Sequence, residues 1–366
     1  MNKNLYLVHT PFQLMNCLNI IEDYYKDDIN HIVLLHRNMK RYLSIIRKYN
    51  DKIHIYHYDF LFDDYSKSNK LLIKTSLVIN LIKGKRSIRK VANKNIKYDS
   101  LFIPSENIGC NITYNYFYEL NNSLELFVYD DGVGTYAKGY LKGKKHFLYE
   151  KISKLLYGTF FWEKLKKIFC YQPEFIDDSN LDIVKVKINS AEVIEKLFSE
   201  HLDDCLINKY NMSKIIYLDQ GGIPSSYENT KVFIELCKKY YRNSEVVLKN
   251  HPRVSPIYES DSFEIDKSGN TFESVFFNID IDDKILVSMC STSCLTPYIL
   301  KEKCPYIIFL GLMNTNRYEN AFSTLYFRNV ISNYKPNKIF IPKNKDELES
   351  VFKILSSKNY IASDIR

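Results

Sequence analysis

The chain has 366 residues, of which 45% are hydrophobic and 26% are charged, so its composition excludes a disordered protein and fits two globular domains. Its 51 basic and 43 acidic residues give a formal net charge of +8, a moderate excess that fits an anionic substrate or an anionic membrane surface. The basic residues are spread along the chain without a known binding motif, so we do not expect a nucleic-acid-binding protein.

The cysteines and the N-terminus indicate where the protein resides. The eight cysteines include no CxxC pair and lie mostly inside apolar runs. This predicts buried, reduced thiols in a cytoplasmic protein and does not favour a zinc site. The N-terminal apolar run is too short for a signal peptide, and no apolar window reaches the roughly 20 residues of a membrane span. We therefore expect no transmembrane helix and at most a peripheral position at the inner membrane.

Short apolar runs alternate with amphipathic stretches in the first half of the chain. A helix is predicted over 11–25, with Thr10 as its N-cap and Pro11 at its first position, and a second over 39–49. This alternation predicts a parallel sheet with helices on both faces. The predicted strands are 4–9, 31–36, 52–58, 98–104 and 124–131.

Residues 138–180 interrupt this alternation. They are basic and aromatic and include the single tryptophan, Trp162. We interpret them as a connecting segment with helices near the edge of the first domain. The part near 157–171 has two interpretations, contact with the anionic leaflet or glycan, or a packed helix whose lysines keep their charged ends in water.

A second alternation of strands and helices starts near residue 183. It predicts an N-terminal Rossmann-like domain at 1–182, a C-terminal Rossmann-like domain at 183–343, and a C-terminal helix at 344–366 that opens with Asn344 and Glu347 in capping-box spacing. The predicted strands are 183–188, 213–222, 245–253, 284–293, 306–311 and 338–342, and the predicted helices are 191–202, 229–242, 272–279, 294–301 and 344–355.

Functional residues are expected in the strand-to-helix loops, because ligands of such sheets bind beyond the carboxyl ends of the strands. The first half offers two such loops, His9–Thr10 and Asp130–Asp131–Gly132. The first is either a helix cap or a binding loop. The acidic pair is either a turn with solvated side chains or a general base, since each carboxylate raises the proton affinity of the other.

In the second half, Lys249, His251 and Arg253 alternate along a predicted strand end. Alternate side chains of an extended segment point to one side, so these three form a candidate pocket for a phosphate or a carboxylate. The alternative is an ordinary strand exit closed by Pro252.

Three further motifs have a structural and a functional interpretation. Ser291, Thr292 and Ser293 either cap a helix or bind a phosphate at its N-terminus. Glu273 either complements the positive end of a helix or contacts a ligand. Asp219 is either a loop residue or a carboxylate of the active site.

The order of these motifs resembles that of the bacterial sialyltransferases: an acidic-acidic-glycine motif, a later His-Pro and then a hydroxyl pair that opens a helix. The opening LYLVHTPFQLMNCLN resembles the branch of lipooligosaccharide and capsule sialyltransferases, glycosyltransferase family 52. The resemblance implies the GT-B fold, an α/β fold with two Rossmann-like doubly wound domains that face each other across a cleft. It also implies an inverting, metal-independent transfer of sialic acid from CMP-sialic acid to a hydroxyl of a bacterial surface glycan, with no cofactor.

The resemblance also assigns catalytic roles. Asp130 or Asp131 matches the general base that deprotonates the acceptor, and His251 matches the residue that assists the departing CMP. In the family 52 branch the base can instead come from an Asp shortly before His-Pro, a place that Asp219 holds here, so the identity of the base stays open.

The donor-binding residues follow by the same resemblance. Lys249 matches a lysine that contacts the donor, and Glu273 matches a glutamate that contacts the cytidine. Ser291 and Thr292 match a serine pair that binds the donor phosphate, and here the second serine is replaced by threonine.

Two alternatives remain from the sequence. One is a GT-B glycosyltransferase that uses a glucosyl or galactosyl nucleotide. The other is a non-catalytic protein of capsule assembly that binds a glycan or a nucleotide. The acceptor, which can be lipid-linked, the linkage and the oligomeric state are left open, with a homodimer as one expectation.

Overall fold

The computed structural model divides the chain into two units, Met1–Ser190 and Ala191–Arg366, called the first and second unit below. Each unit is built on one parallel sheet. The structure describes the whole chain apart from residues 36, 44–45, 48–52, 58–95, 105–107, 137–163, 177–180, 188–201, 221–223, 252–261, 314–317 and 364–366.

The strands of the first unit are β1 (Lys3–Val8), β2 (Ile29–Leu34), β3 (Ile53–His57), β4 (Ser100–Ile103), β5 (Glu125–Tyr129), β6 (Leu165–Cys170) and β7 (Asp182–Lys185). Their order in the sheet is β3-β2-β1-β4-β5-β6-β7. The helices are α1 (Pro11–Ile20), continued by a π-helical turn at Ile21–Tyr25, and α2 (Ile108–Leu120), with short 3-10 helices at Arg37–Tyr42, Val133–Tyr136 and Pro173–Phe175.

Strands β1 to β5 lie where the apolar runs predict them, and the buried aromatic rings between them explain why. Tyr6 of β1 stacks on Phe102 of β4 at 4.2 Å between ring centroids, and Phe102 contacts Phe169 of β6 at 5.6 Å. All three side chains are buried. Rings of this size remove much apolar surface from water, so they hold the centre of the sheet together.

Strand β6 corrects the prediction that 138–180 is a helical connection. Leu165–Cys170 pairs in parallel with β5 on one side and with β7 on the other. A short apolar run next to lysines is compatible with either a helix or a strand. Here the residues form a strand because they pair with a neighbouring strand on both sides. Residues 165–170 therefore form no helix that could pack or meet a membrane, while Trp162 and the rest of 137–163 lie outside the described residues.

Strand β7 corrects the prediction that the second domain begins at 183. Asp182–Lys185 is the edge strand of the first sheet. The chain divides after Ser190 and not after residue 182. A short amphipathic strand carries no sign of the sheet that it joins, so the sequence does not distinguish the last strand of one domain from the first strand of the next.

The strands of the second unit are β8 (Ile215–Leu218), β9 (Val246–Lys249), β10 (Glu264–Asp266), β11 (Ile285–Ser288), β12 (Tyr306–Phe309) and β13 (Ile339–Phe340). Their order is β10-β9-β8-β11-β12-β13, which repeats the first six positions of the other sheet. The helices are α3 (Asp204–Met212), α4 (Pro224–Tyr240), α5 (Phe272–Phe276), α6 (Thr296–Lys301), α7 (Glu319–Phe322), α8 (Leu325–Asn333) and α9 (Lys345–Ser363). Strand β10 and helices α3, α7 and α8 were not expected from the sequence. The helix predicted over 191–202 lies almost entirely outside the described residues.

Helix α9 is part of the second unit and not a separate C-terminal element. Its residues Leu348 and Phe352 are buried in one cluster with Phe233 of α4. One half of the predicted capping box is present, since the Glu347 backbone amide donates to Asn344 Oδ1 at 2.9 Å, and the Glu347 side chain accepts from the Lys343 amide at 2.9 Å. An amphipathic helix at the end of a chain finds its partner through its apolar face, which here lies on α4.

Each sheet reverses its strand order at one point, between β1 and β4 in the first unit and between β8 and β11 in the second. In open α/β sheets the loops that leave the strands at this point form the ligand-binding crevice. Within the described part of the chain, the structure has no helix of sufficient length and hydrophobicity to cross a membrane.

Candidate active site

The acidic pair lies directly after β5, and its first member is held from several sides. Asp130 is 2% exposed. Its Oδ1 accepts from the Gly132 amide at 2.8 Å, and its Oδ2 accepts from the Tyr136 hydroxyl and from the Tyr171 amide at 3.4 Å. Gly132 has φ +94°, a left-handed conformation that glycine adopts without strain. The glycine of the motif therefore allows the turn that aims its own amide at Asp130.

Burial raises the pKa of Asp130 to about 6. The hydrogen bonds from Tyr136, Gly132 and Tyr171 act in the opposite direction, and the charge of Asp131 adds to the rise. A carboxyl group that titrates near neutral pH can accept a proton from a hydroxyl and release it again under working conditions. Asp130 thus has the proton affinity that general-base chemistry requires.

Asp131 is more accessible than its neighbour. Its side chain is half-buried, and its Oδ1 accepts from Gln13 Nε2 at 2.6 Å. Its amide donates to Thr135 Oγ1 at 2.8 Å, which closes the loop on itself. The two members of the pair therefore differ: Asp130 is enclosed by donors, whereas Asp131 is partly open to solvent.

The loop between β1 and α1 reaches the acidic pair through Gln13. Thr10 caps α1 by accepting from the Gln13 amide at 3.2 Å, as its position before Pro11 predicts. The amides of His9 and Thr10 donate in turn to Gln13 Oε1 at 2.7 and 3.2 Å. Gln13 thus joins two loops that the sequence indicated separately, the loop of His9 and Thr10 and the loop of Asp131.

In the second unit, the loops after β8 and β11 meet where the strand order reverses. Asp219 follows β8, is 8% exposed, and donates its amide to the Lys249 carbonyl at 3.0 Å. The next residue, Gln220, accepts the Cys290 amide on its Oε1 at 2.6 Å. This contact ties the Asp219 loop to the serine- and threonine-rich loop that follows β11.

Lys249 does not present its ammonium group in the way that the alternating pattern predicts. Its side chain is 4% exposed and donates to Asp266 Oδ2 at 2.9 Å and to the Asn270 carbonyl at 2.6 Å. Asp266 also accepts from the Tyr210 hydroxyl at 2.6 Å. Although burial acts to raise the pKa of Asp266, the Lys249 charge and the hydrogen bonds hold it below its usual value. The cation is thus bound within the unit, and its contact with a donor stays a prediction.

His251 lies two residues beyond β9 and is half-buried. The intervening Asn250 keeps the chain against β10, since its amide donates to the Asp266 carbonyl at 3.2 Å. Pro252 and Arg253 lie outside the described residues, so the structure does not test the rest of the predicted cationic pocket.

Glu273 is close to two other predicted site residues. It lies in the first turn of α5 and is 5% exposed. Burial raises its pKa, while hydrogen bonds from Thr271 and Ser293 and the charge of Lys249 act against the rise. The structure therefore brings Lys249, Glu273 and Ser293 together at the carboxyl edge of the second sheet.

The hydroxyl loop after β11 has the capping role that the sequence allowed. Ser291 caps a 3-10 helix at Thr292–Cys294 by accepting from the Ser293 amide at 3.3 Å, and its own amide donates to Ser288 Oγ at 2.9 Å. Ser291, Thr292 and Ser293 are all half-buried. Capping and phosphate binding are compatible, so the second role stays a prediction.

Family comparison identifies the chain more narrowly than the fold does. A family model described as Alpha-2,8-polysialyltransferase (POLYST) matches residues 4–307. The chain belongs to the alpha-2,8-polysialyltransferase family. The predicted relation to the sialyltransferases is thereby confirmed, and the chain is a glycosyltransferase. No curated protein matches the sequence.

Solved structures confirm the GT-B fold. The S. aureus MnaA–UDP co-structure aligns with a TM-score of 0.57 at 14% identity, over 97% of this chain and 88% of that chain. The UDP-GlcNAc 2-epimerase of Methanocaldococcus jannaschii, in complex with UDP-GlcNAc and UDP, has a TM-score of 0.55 at 12% identity, over 97% and 92% of the two chains. The calicheamicin glycosyltransferase CalG4 has a TM-score of 0.53 at 9% identity, over 100% and 92%. At such identities the likeness concerns the fold alone.

For this member of the polysialyltransferase family, the structure adds residues that the motifs did not indicate. Gln13, Tyr136 and Tyr171 surround the acidic pair, and Gln220 and Asp266 shape the loops of the second unit. Only Gln13 had a visible signal, because Thr10-x-x-Gln13 has the spacing of a capping box. Tyr136 lies six residues beyond Asp130 in the same loop, and the remaining three depend on contacts between segments farther apart in the chain.

Proposed function

We propose that this chain is an inverting, metal-independent sialyltransferase that moves sialic acid from CMP-sialic acid to a hydroxyl of a bacterial surface glycan. The observation that carries the proposal is the acidic pair after β5, one member of which has a pKa of about 6, in a chain of the alpha-2,8-polysialyltransferase family. Because the family is described by an α-2,8 linkage, a glycan that ends in sialic acid is the first acceptor to try.

The donor side of the reaction is assigned to the second unit. The bond from the sugar carbon to the phosphate oxygen breaks, and CMP leaves with the bonding electron pair. Donors that face the phosphate as it gains charge lower the barrier. His251 is proposed to give a proton or a hydrogen bond to the departing phosphate, and the hydroxyls of Ser291 and Thr292 are proposed to bind it. Since the leaving group is already a stable phosphate, these groups meet the need for charge stabilisation.

Glu273 and Lys249 support the donor side less directly. Glu273 is proposed to contact the cytidine, and its position beside Ser293 favours a role next to the phosphate loop. Lys249 is proposed to act from its buried ion pair, as a fixed positive charge behind Glu273. For Pro252 and Arg253 we propose the roles that the sequence suggests: Pro252 ends the strand, and Arg253 supplies a positive charge near the donor.

The acceptor side is assigned to a carboxylate that removes the proton of the attacking hydroxyl. The new bond forms from that oxygen to the sugar carbon, opposite to the departing phosphate, and a single displacement of this kind inverts the configuration. Asp130 has the raised pKa and Asp131 has the greater exposure, so we propose that the base belongs to this pair. Asp219 is the alternative base from the second unit.

Substitution of the carboxylates and of His251 tests the proposal through CMP release. We expect Asn at the true base position to lower kcat by roughly 10²–10⁴-fold, and His251→Ala to have an effect of similar size, both with retained CMP binding. Comparison of D130N, D131N and D219N identifies the base. Asp346→Asn, an exposed change in the first turn of α9, is the control and should leave the rate unchanged. Unchanged turnover in all three Asn variants would contradict the proposed mechanism.

A second candidate is a GT-B glycosyltransferase with a UDP-sugar donor, which the UDP in two structural neighbours favours. Release of UDP from a UDP-sugar, with no CMP released from CMP-sialic acid, would decide for it. A non-catalytic protein of capsule assembly would bind CMP and release nothing from either donor.

A further inference from the structure

Helix α1 carries a row of three buried amide side chains on the side that contacts the acidic loop. Gln13, Asn16 and Asn19 follow one another at intervals of three residues, and all are buried. Amide groups out of contact with water destabilise a fold unless they are hydrogen-bonded. The partners of these three side chains therefore indicate what the row is for.

The partners of these three side chains include the acidic pair itself and Tyr171, whose backbone amide donates to Asp130. Asn16 Nδ2 donates to the Asp130 carbonyl at 2.7 Å, and its Oδ1 accepts from the Tyr171 hydroxyl at 2.6 Å. Asn19 Nδ2 donates to the same hydroxyl at 2.8 Å. Asn16 and Asn19 thus hold the backbone of Asp130 and the side chain of Tyr171.

Gln13 is the member of the row that contacts a carboxylate, and its orientation is determined. The amides of His9 and Thr10 both donate to one end of its side chain, at 2.7 and 3.2 Å. That end must be the oxygen, because an NH₂ group cannot accept from an N–H. The other end is therefore the NH₂ group, and it lies 2.6 Å from Asp131 Oδ1 as a donor.

We propose that Gln13 is a positioning residue for the general base: it donates to the Asp131 carboxylate and holds the acidic pair in its charged and oriented form. The inference rests on the function proposed above, in which this pair supplies the base. It applies whether the proton goes to Asp130 or to Asp131, because the two charges are adjacent and affect each other.

The groups around the acidic pair allow its ionisation to be followed in a pH–rate profile. Burial raises the pKa of Tyr129, Cys170 and Tyr171, so these groups stay neutral near neutral pH, and Tyr136 donates its hydroxyl to Asp130. The pKa of Asp130, about 6, lies in the range that a pH–rate profile covers. A change in the profile at mildly acidic pH would therefore report on the carboxylates.

Gln13→Glu is the test, with CMP release measured as a function of pH. The new carboxylate keeps an oxygen for the His9 and Thr10 amides, and it replaces the donor to Asp131 by a second negative charge. We expect the acid limb of the kcat profile to move upward by about one pH unit or more, because like charges disfavour ionisation. Gln13→Met removes the donor without adding charge, so it should move the limb in the same direction by a smaller amount.

Asn344→Asp is the matched control. The Asn344 side-chain amide also donates to a carboxylate, Glu347 Oε1 at 3.1 Å, but at the exposed start of α9 in the second unit. The same amide-to-acid exchange there should leave the profile unchanged. The inference is overturned if the acid limb of Gln13→Glu or, should that variant not fold, of Gln13→Met coincides with that of the wild type. It is also overturned if activity falls equally at every pH.

Failure of the proposed function gives a different result. If the wild-type protein releases no CMP from CMP-sialic acid, the contact is still testable through the unfolding free energy between pH 4 and pH 8. An extra carboxylate beside Asp131 binds protons more tightly in the folded than in the unfolded state, so Gln13→Glu should lose stability relative to wild type as the pH rises. A constant difference between the two proteins would overturn the contact itself.

Discussion

The ion pair of Lys249 and Asp266 shows how a single side chain can have a role that its motif does not suggest. Lys249 directly precedes the Asn-His-Pro segment, where a cation for a phosphate was expected. Its ammonium group instead lies 2.9 Å from Asp266 Oδ2, and both side chains are almost fully buried. A buried charge without a partner is costly, so the removal of either residue would destabilise the fold.

We expect Lys249→Met to lower the free energy of unfolding by about 3–5 kcal/mol, because it leaves the Asp266 carboxylate buried without its cation. The measurement is urea denaturation followed by circular dichroism. Lys209→Met is the matched control, since its pair with Glu264 of β10 is exposed to solvent and should contribute little to stability. Equal stability of the two variants would show that Lys249 is not structural.

At the scale of elements, β2 carries a buried histidine that contacts other polar side chains. His31 is buried in the middle of the strand, and its Nδ1 lies 2.8 Å from the Tyr98 hydroxyl. His54, its neighbour on β3, meets it edge-on at 4.9 Å between ring centroids. Burial, followed by the charges of His54 and Lys3, lowers the pKa of His31 to about 4. The strand is thus stable with a neutral imidazole and resists protonation.

This arrangement predicts that stability falls with acidification. The folded pKa of His31, about 4, lies below the value of about 6.5 for an unfolded chain, so the unfolded state binds the proton first. The contribution is fully present above about pH 6.5 and is lost as the pH falls toward 4, by at most about 3 kcal/mol.

His31→Gln does not titrate and should flatten this part of the stability curve, which denaturation at a series of pH values measures. Comparison of the two proteins at pH 7.5 gives the packing effect of the substitution alone. An unchanged slope between pH 6.5 and pH 4 would refute the assignment to His31.

At the scale of the whole molecule, two units repeat one strand order. Each sheet has its own reversal point, and the residues assigned to the reaction follow strands that lie at this point or near it. Helix α9 completes the core of the second unit, since Phe352 is 1% exposed and contacts Phe233 at 6.1 Å and Tyr241 at 5.8 Å between ring centroids. This part of α9 is therefore structural.

We expect Phe352→Ala to destabilise the second unit by about 3–5 kcal/mol, because it opens a cavity in a packed core. Hydrogen exchange of the amides in β8 and β11 measures the loss locally, so the unfolding of the first unit does not obscure it. Ile354→Ala, two residues away on the exposed side of the same helix, is the control and should change exchange little. Equal protection in both variants would mean that α9 only lies on the surface.

The sequence by itself determined the features that depend on neighbouring residues. The alternation of apolar runs and amphipathic stretches predicted most strands of both sheets, and Thr10 with Pro11 predicted the start of α1. The glycine after the acidic pair, Gly132, is typical of a turn, and it has the positive φ that such a turn requires. The order of the motifs pointed to the sialyltransferases and to the GT-B fold. Such signals survive because periodicity, caps and turns are set within a few residues.

Only the tertiary structure decided the features that depend on distant partners. It made Leu165–Cys170 a strand, assigned β7 to the first sheet, paired Lys249 with Asp266, and brought Gln13 to Asp131 across more than a hundred residues. The local sequence around a strand or a charged side chain does not specify which distant partner it will contact. Pairing energy and burial choose among those partners, and both exist only once the chain has folded.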